Sequence, residues 1–186
     1  MNQSLHQSHP LGPLYIVTEP FDARRDTEWS NFVAWSGLGQ VSEVVSLDSI
    51  LCPPVVASLI DADWPHIVNE NFMLNYFVDL GYLLTRAGPL AGKNLLCVFR
   101  NPLAVPSVPD GFEMLGYDLV DVLGTVSVIT NCGGFPDVFR NDELNRHGLL
   151  DSLARAREIQ RVLPIKYKGK DHVETHIWAI SRKATA

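Results

Sequence analysis

Apolar residues recur along the chain with two different periods, and each predicts a kind of element. Leu14-Tyr15-Ile16-Val17-Thr18 is a run of aliphatic, aromatic and β-branched residues closed by Glu19-Pro20, which predicts a short strand. Trp29, Phe32 and Val33 fall on one side at helical spacing, with Asp26 placed to cap that helix and Gly37 to end it. Residues 41–47 have the texture of a strand, and Pro53-Pro54 breaks any regular continuation. Met73, Tyr76, Phe77, Leu80, Leu84 and Ala87 then repeat at i, i+3, i+4 and i+7, predicting a helix stopped by Gly88-Pro89. Gly81 inside that stripe costs about 1 kcal/mol relative to alanine, so it marks close packing.

From Asn94 onward the pattern turns to strands, at 94–99, 112–120 and 124–130. A loop with three prolines, Asn101 to Gly111, separates the first two. The link Asp121-Val122-Leu123-Gly124 is too short for a crossover helix, so the three strands are expected to form an antiparallel meander. A helix over 152–163 puts Leu153, Ala156, Ile159 and Leu163 on its inner side, with Asp151 or Ser152 as cap and Pro164 as terminator, and a last strand covers 173–181. Helices mixed with mostly antiparallel strands predict an α+β fold, a two-layer sandwich of a mostly antiparallel sheet with helices packed on one face. Residues 1–13 are expected to be a flexible polar tail and 14–186 a single domain.

Composition narrows this picture without giving a function. With 46% hydrophobic and 19% charged residues the chain is an ordinary globular sequence, not a disordered or fibrous one. No apolar run approaches the roughly 20 residues of a spanning helix, so no membrane role is expected. The N-terminus lacks a basic region followed by an apolar core, and Cys52, Cys97 and Cys132 form neither a disulfide framework nor a zinc knuckle. A reducing, cytoplasmic setting is the expectation.

Charge adds a positional feature. The net charge is −6, which argues against a nucleic-acid binder that works by phosphate neutralisation. Residues 1–80 hold ten acids and only Arg24 and Arg25, whereas 81–186 hold eleven acids and thirteen bases. No Lys or Arg stands between Arg25 and Arg86. Carboxylates gathered on one face would steer a basic partner; scattered ones would only keep the protein soluble.

Candidate chemistry is sparse. Thr130-Asn131-Cys132-Gly133-Gly134 puts a thiol and a carboxamide beside two glycines, so Cys132 is a candidate nucleophile with His147, His172 or His176 as base and Asn131 as an oxyanion donor. The plainer reading is a small buried cysteine at a turn. On a strand, His172, Glu174 and His176 would share one face and form a weak zinc or iron candidate, against the plainer reading of a polar strand edge. Tyr117, Asp118 and Asp121 are read as strand and turn residues more readily than as an acid–base pair. Lys166, Lys168 and Lys170 are read as charges that block strand pairing. Walker, dinucleotide and G-x-S-x-G patterns are missing, and no cofactor is expected.

In size, acidity and lack of export or catalytic signature, the chain resembles small bacterial immunity or antitoxin-type proteins that neutralise a basic toxin. The likeness is one of composition and rests on no motif. It implies a non-catalytic protein-binding module whose acidic N-terminal half docks a basic protein. The expected anchors are Trp29, Trp35, Trp64 and Tyr76, with Asp61, Asp63, Glu70 and Asp79 as the charge set. The alternative is a cysteine-dependent hydrolase or transferase built on Cys132.

Overall fold

A computed structural model of the chain describes residues 10–68, 74–131, 135 and 137–184. Four long strands, β1 (Leu11–Thr18), β4 (Asn94–Arg100), β5 (Phe112–Asp121) and β6 (Thr175–Lys183), form one sheet in the order β1-β4-β6-β5, every pair antiparallel. Two short strands, β2 (Phe21–Asp22) and β3 (Glu43–Val44), pair separately. The helices are α1 (Trp29–Ser36), α2 (Leu80–Ala87) and α3 (Leu153–Lys166), with short 3-10 turns at Asp61–His66 and Asn141–Glu143. The fold is therefore α+β, as the mixed periodicities predict.

Strand alternation divides the core. Leu14 and Ile16, Leu96 and Val98, Trp178 and Ile180, and Val120 join one cluster, closed by Val45, Leu47, Leu74, Tyr76 and Leu149 from irregular segments. Side chains of the opposite parity join the clusters that hold the inner residues of α2 (Leu83, Ala87) and of α3 (Leu153, Ala156, Ile159, Leu163). α3 follows its expected start, because Ser152 accepts a hydrogen bond from the Arg155 N–H.

Several expectations are corrected. β1 begins at Leu11, which pairs with Arg100, so the strand takes in three residues assigned to the tail. The strands from Asn94 do not form a meander; β6 lies between β4 and β5. Residues 124–130 make no strand, because Asp121 takes the N–H groups of Thr125 and Val126 and Asp48 takes that of Ser127, leaving one bridge from Ser127 to Val120.

The helix expected from Met73 starts only at Leu80, capped by Asp79; Met73 itself lies outside the described residues. Before it, Phe77 exchanges backbone hydrogen bonds with Tyr15 at 2.7 and 2.9 Å. Tyr76 and Phe77 enter different core clusters, which is strand behaviour. Pro164 lies inside α3: a proline there forfeits its own bond to the Gln160 carbonyl, yet the final turn closes through Tyr167 N–H to Leu163 O at 2.9 Å. Among the described residues no helix is long and apolar enough to cross a membrane.

Candidate functional site

An open groove of about 550 Å³ lies between α1, β2 and the segment around Ile50. Its first wall is one face of α1. Glu28, Asn31, Phe32 and Trp35 stand at i, i+3, i+4 and i+7 and all line it. Glu28 accepts a hydrogen bond from the Asn31 amide at 2.8 Å, and Gly37, left-handed at φ 69°, ends the helix as its sequence position suggests. Phe32 meets Phe21 of β2 edge-on, with ring centroids 5.2 Å apart, and Trp29 packs on both rings from behind.

The second wall is held from inside the protein. Asp48, fully buried, accepts the N–H groups of Ile50 and Leu51 through Oδ1 and those of Ser127 and the Asn131 amide through Oδ2, each at 2.9 Å. Ser46 Oγ accepts the Asp48 N–H and donates to Asp118 Oδ2 at 2.5 Å, while Ser127 Oγ donates to Asp118 Oδ1 at 2.6 Å. Burial pushes the Asp118 carboxyl up to about 6 against the pull of these serine hydroxyls. Glu19 N–H to Pro53 O, at 2.9 Å, ties the two ends of the groove together.

The groove has an apolar floor and an acidic rim. Ile50 is 69% and Trp35 58% exposed, and Glu19, Asp26 and Glu28 supply three carboxylates, while no Lys or Arg lines it. Arg24 and Arg25 are drawn instead to Asp22, and Arg25 also donates to the Gly92 carbonyl.

Of the seven expected docking residues among the described residues, only Trp35 lines this groove. Trp29 supports it. Trp64, 53% exposed, and Asp61 belong to the Asp61–His66 turn, and Asp79 caps α2 with His66 Nδ1 3.4 Å from its carboxylate. Tyr76 is no exposed anchor: it is enclosed and stacked on Trp178 at 4.8 Å. Asp63 carries no outward charge either, since it is fully buried and receives Arg86 at 2.7 and 3.1 Å and Tyr82 Oη at 2.9 Å. The Arg86 guanidinium holds its carboxyl down at about 2. Glu70 lies outside the described residues. Of the lining residues, Phe32 is marked in the sequence by its helical spacing with Trp29 and Val33, and Trp35 as an expected anchor; Glu19, Phe21, Glu28, Asn31 and Ile50 are not marked. Asp26 does not cap α1 as expected: Glu28 holds the cap position with no side-chain cap, and Asp26 accepts the Asp22 N–H at 3.3 Å instead.

Cys132, Gly133 and Gly134 lie outside the described residues. Asn131 is committed to Asp48. His147 is buried with both ring nitrogens engaged, Nδ1 on Glu43 at 2.7 Å and Nε2 accepting from Arg146 Nε at 3.1 Å. The His147 hydrogen bond, helped by Arg182 at 2.9 Å, holds Glu43 at about 2. Cys52 and Cys97 are buried, and burial pushes both thiols up, Cys97 to about 12.

The proposed metal face is not formed. His172, at φ 61°, lies outside β6 and bonds Asp121 at 2.7 Å, whereas His176, within β6, approaches the Asn101 amide at 3.2 Å. Glu174 precedes that strand, and its carbonyl accepts from Val122 N–H. Among the described residues no group of three His, Cys, Asp or Glu side chains is disposed to hold a metal. Lys166 donates to the Asp137 carbonyl at 3.0 Å, and Lys168 and Lys170 are exposed beyond α3. No protein-family model, curated protein or solved structure matches the chain.

Proposed function

We propose that the protein is a non-catalytic binding module that docks a basic protein partner in the groove between α1 and Ile50. One observation carries this reading: a concave surface with two large exposed apolar side chains, Trp35 and Ile50, is rimmed by three carboxylates and lined by no base. Large exposed apolar side chains set in a charged rim are the usual anatomy of a protein contact. The single sign of the rim selects a cationic partner and speeds its approach. The compositional likeness to immunity and antitoxin-type proteins adds a basic toxin as the partner class. Two members of the cysteine-enzyme reading, Asn131 and His147, are held in structural hydrogen bonds to Asp48, Glu43 and Arg146.

The test is affinity capture from the native host with two baits, the wild-type protein and a Glu19→Lys/Glu28→Lys variant with an unchanged melting temperature. A stoichiometric partner of basic isoelectric point should bind the first bait, come off in high salt, and be lost from the second. The same proteins on both baits, or none on either, would overturn the proposal.

A further inference from the structure

We infer that the groove seats an arginine side chain of the partner, its stem lying along the Trp35 face of α1 and its guanidinium turned towards Glu28. This rests on the docking reading above and narrows it to one residue type. Three observations favour arginine over lysine.

The first is the order of side chains along α1. Glu28 and Trp35 are two helical turns apart, about 10 Å along the axis, with Asn31 and Phe32 between them on the groove side. An extended cationic side chain laid along that line meets an indole, an apolar ring and a carboxylate in succession.

The second is the set of acceptors. Asn31 donates its amide hydrogen to Glu28 Oε2, which leaves Glu28 Oε1 and the Asn31 amide oxygen as two acceptors one helical turn apart. A planar guanidinium presents several donors in a fixed fork that suits such a spread, whereas an ammonium acts as a compact point charge.

The third is the floor. Phe21, Phe32 and Leu51 make the base of the groove apolar, and Trp35 holds a large indole in the open. Guanidinium is weakly hydrated, so it gives up little on leaving water over such a floor while its aliphatic stem covers the Trp35 indole; ammonium is strongly hydrated and gives up more. None of the protein's own Lys or Arg side chains lines the groove to compete.

The experiment titrates the intact protein with three acetylated peptides, Ala-Gly-Leu-X-Leu-Gly-Ala, in which X is arginine, lysine or the uncharged isostere citrulline. Binding is followed by the indole N–H resonances, with that of Trp35 assigned from Trp35→Phe. The arginine peptide should shift the Trp35 resonance, bind at least five times more tightly than the lysine peptide, and lose at least tenfold in affinity in Trp35→Ala and in Glu28→Gln. Trp64→Ala should leave it unchanged, and citrulline should abolish it. Equal affinity for arginine and lysine, lost in Glu28→Gln, would overturn the arginine seat and leave cationic docking standing. No shift with either cationic peptide, together with undiminished groove-dependent capture of a basic partner, would likewise remove the arginine seat alone. No shift and no groove-dependent capture would sink both. A response at Trp64 instead of Trp35 would overturn the placement in the α1 groove.

Discussion

Gly116 occupies a place that the β5 backbone leaves to glycine alone. Its φ is 148°, it lies where the register of β5 and β6 shifts, and an added Cβ would come within 2.7 Å of the Leu150 carbonyl and 2.8 Å of Leu149 Cβ. The close approach lets Tyr117 and Leu150 exchange hydrogen bonds at 2.8 and 3.0 Å. Gly116→Ala is therefore expected to destabilise the protein by about 2–3 kcal/mol, since strain and a backbone clash act together. Gly88, at φ 67° and ψ −148°, also holds a conformation that only glycine favours, but with open space around it Gly88→Ala adds strain without a clash and should cost less, about 1–2 kcal/mol. Urea titrations of the two variants check the contrast. At this scale the sequence is a poor guide to acids. Asp48, Asp63 and Asp118 look like any others in a charge count, yet all three are fully buried and held by hydrogen bonds from serines, backbone N–H groups or Arg86. Asp48 and Asp63 do take nearby backbone N–H groups, as turn-forming aspartates commonly do. The groups that bury and hold all three stand farther away in the chain, Ser127 and Asn131 on Asp48, Arg86 and Tyr82 on Asp63, and Ser46 and Ser127 on Asp118, and no local pattern marks them.

Elements are legible where local signals agree and illegible where a distant group captures the backbone. α3 could be read because a serine cap and an apolar stripe coincide over fourteen residues. The segment before α2 could not, because its apolar spacing suits a helix while its edge pairing with Tyr15 makes it extended. Asp121 and Asp48 override the β-branched run at 124–130 in the same way. On the α1 wall of the groove, helical spacing marks Phe32, while Ile50 and Glu19 join the groove only through the fold. α2 and the Asp61–His66 turn are joined by the Arg86–Asp63 pair, stacked alongside by His66 on Tyr82 at 3.8 Å. Arg86→Met would keep the apolar stem and strand a buried carboxylate, at a cost of about 3 kcal/mol. Asp63→Asn added to Arg86→Met should recover part of that loss. Thermal melts of the single and double variants measure it, and equal destabilisation in both would show that the buried charge is not the cause.

For the whole molecule, the acidic first half divides into acids the fold consumes and acids it displays. Only the second kind, Glu19, Asp26 and Glu28 at the groove among them, adds a negative field at the surface. The consumed acids Glu43 and Asp63, together with Asp118 of the second half, set the response to pH. Asp118 titrates near 6 when folded and near 3.8 when unfolded, so its contribution is fully present below about pH 4 and lost as pH rises through 6. Glu43 and Asp63 titrate near 2 when folded, so their contributions are present above their ordinary values of 4.5 and 3.8 and lost as pH falls towards 2. Stability from these three groups should rise from pH 7 to about pH 5 and then fall below about pH 4. Asp118→Asn should flatten the upper limb alone, and denaturant midpoints across that range check it; an unchanged upper limb in the variant would refute the assignment.

Between β4 and β5 in the sheet stands β6, a strand made after both of them. Thr175–Lys183 lies between segments translated some sixty to eighty residues earlier, pairing along its length with β5 and over Trp178–Arg182 with β4. During vectorial synthesis β5 therefore waits without its sheet partner until β6 emerges, and the sheet cannot close piecemeal from the N-terminus. A ribosome-stalled chain ending before Thr175 would leave β4 and β5 with unsatisfied edges, which makes the nascent protein a natural client for whatever shields such edges in its cell.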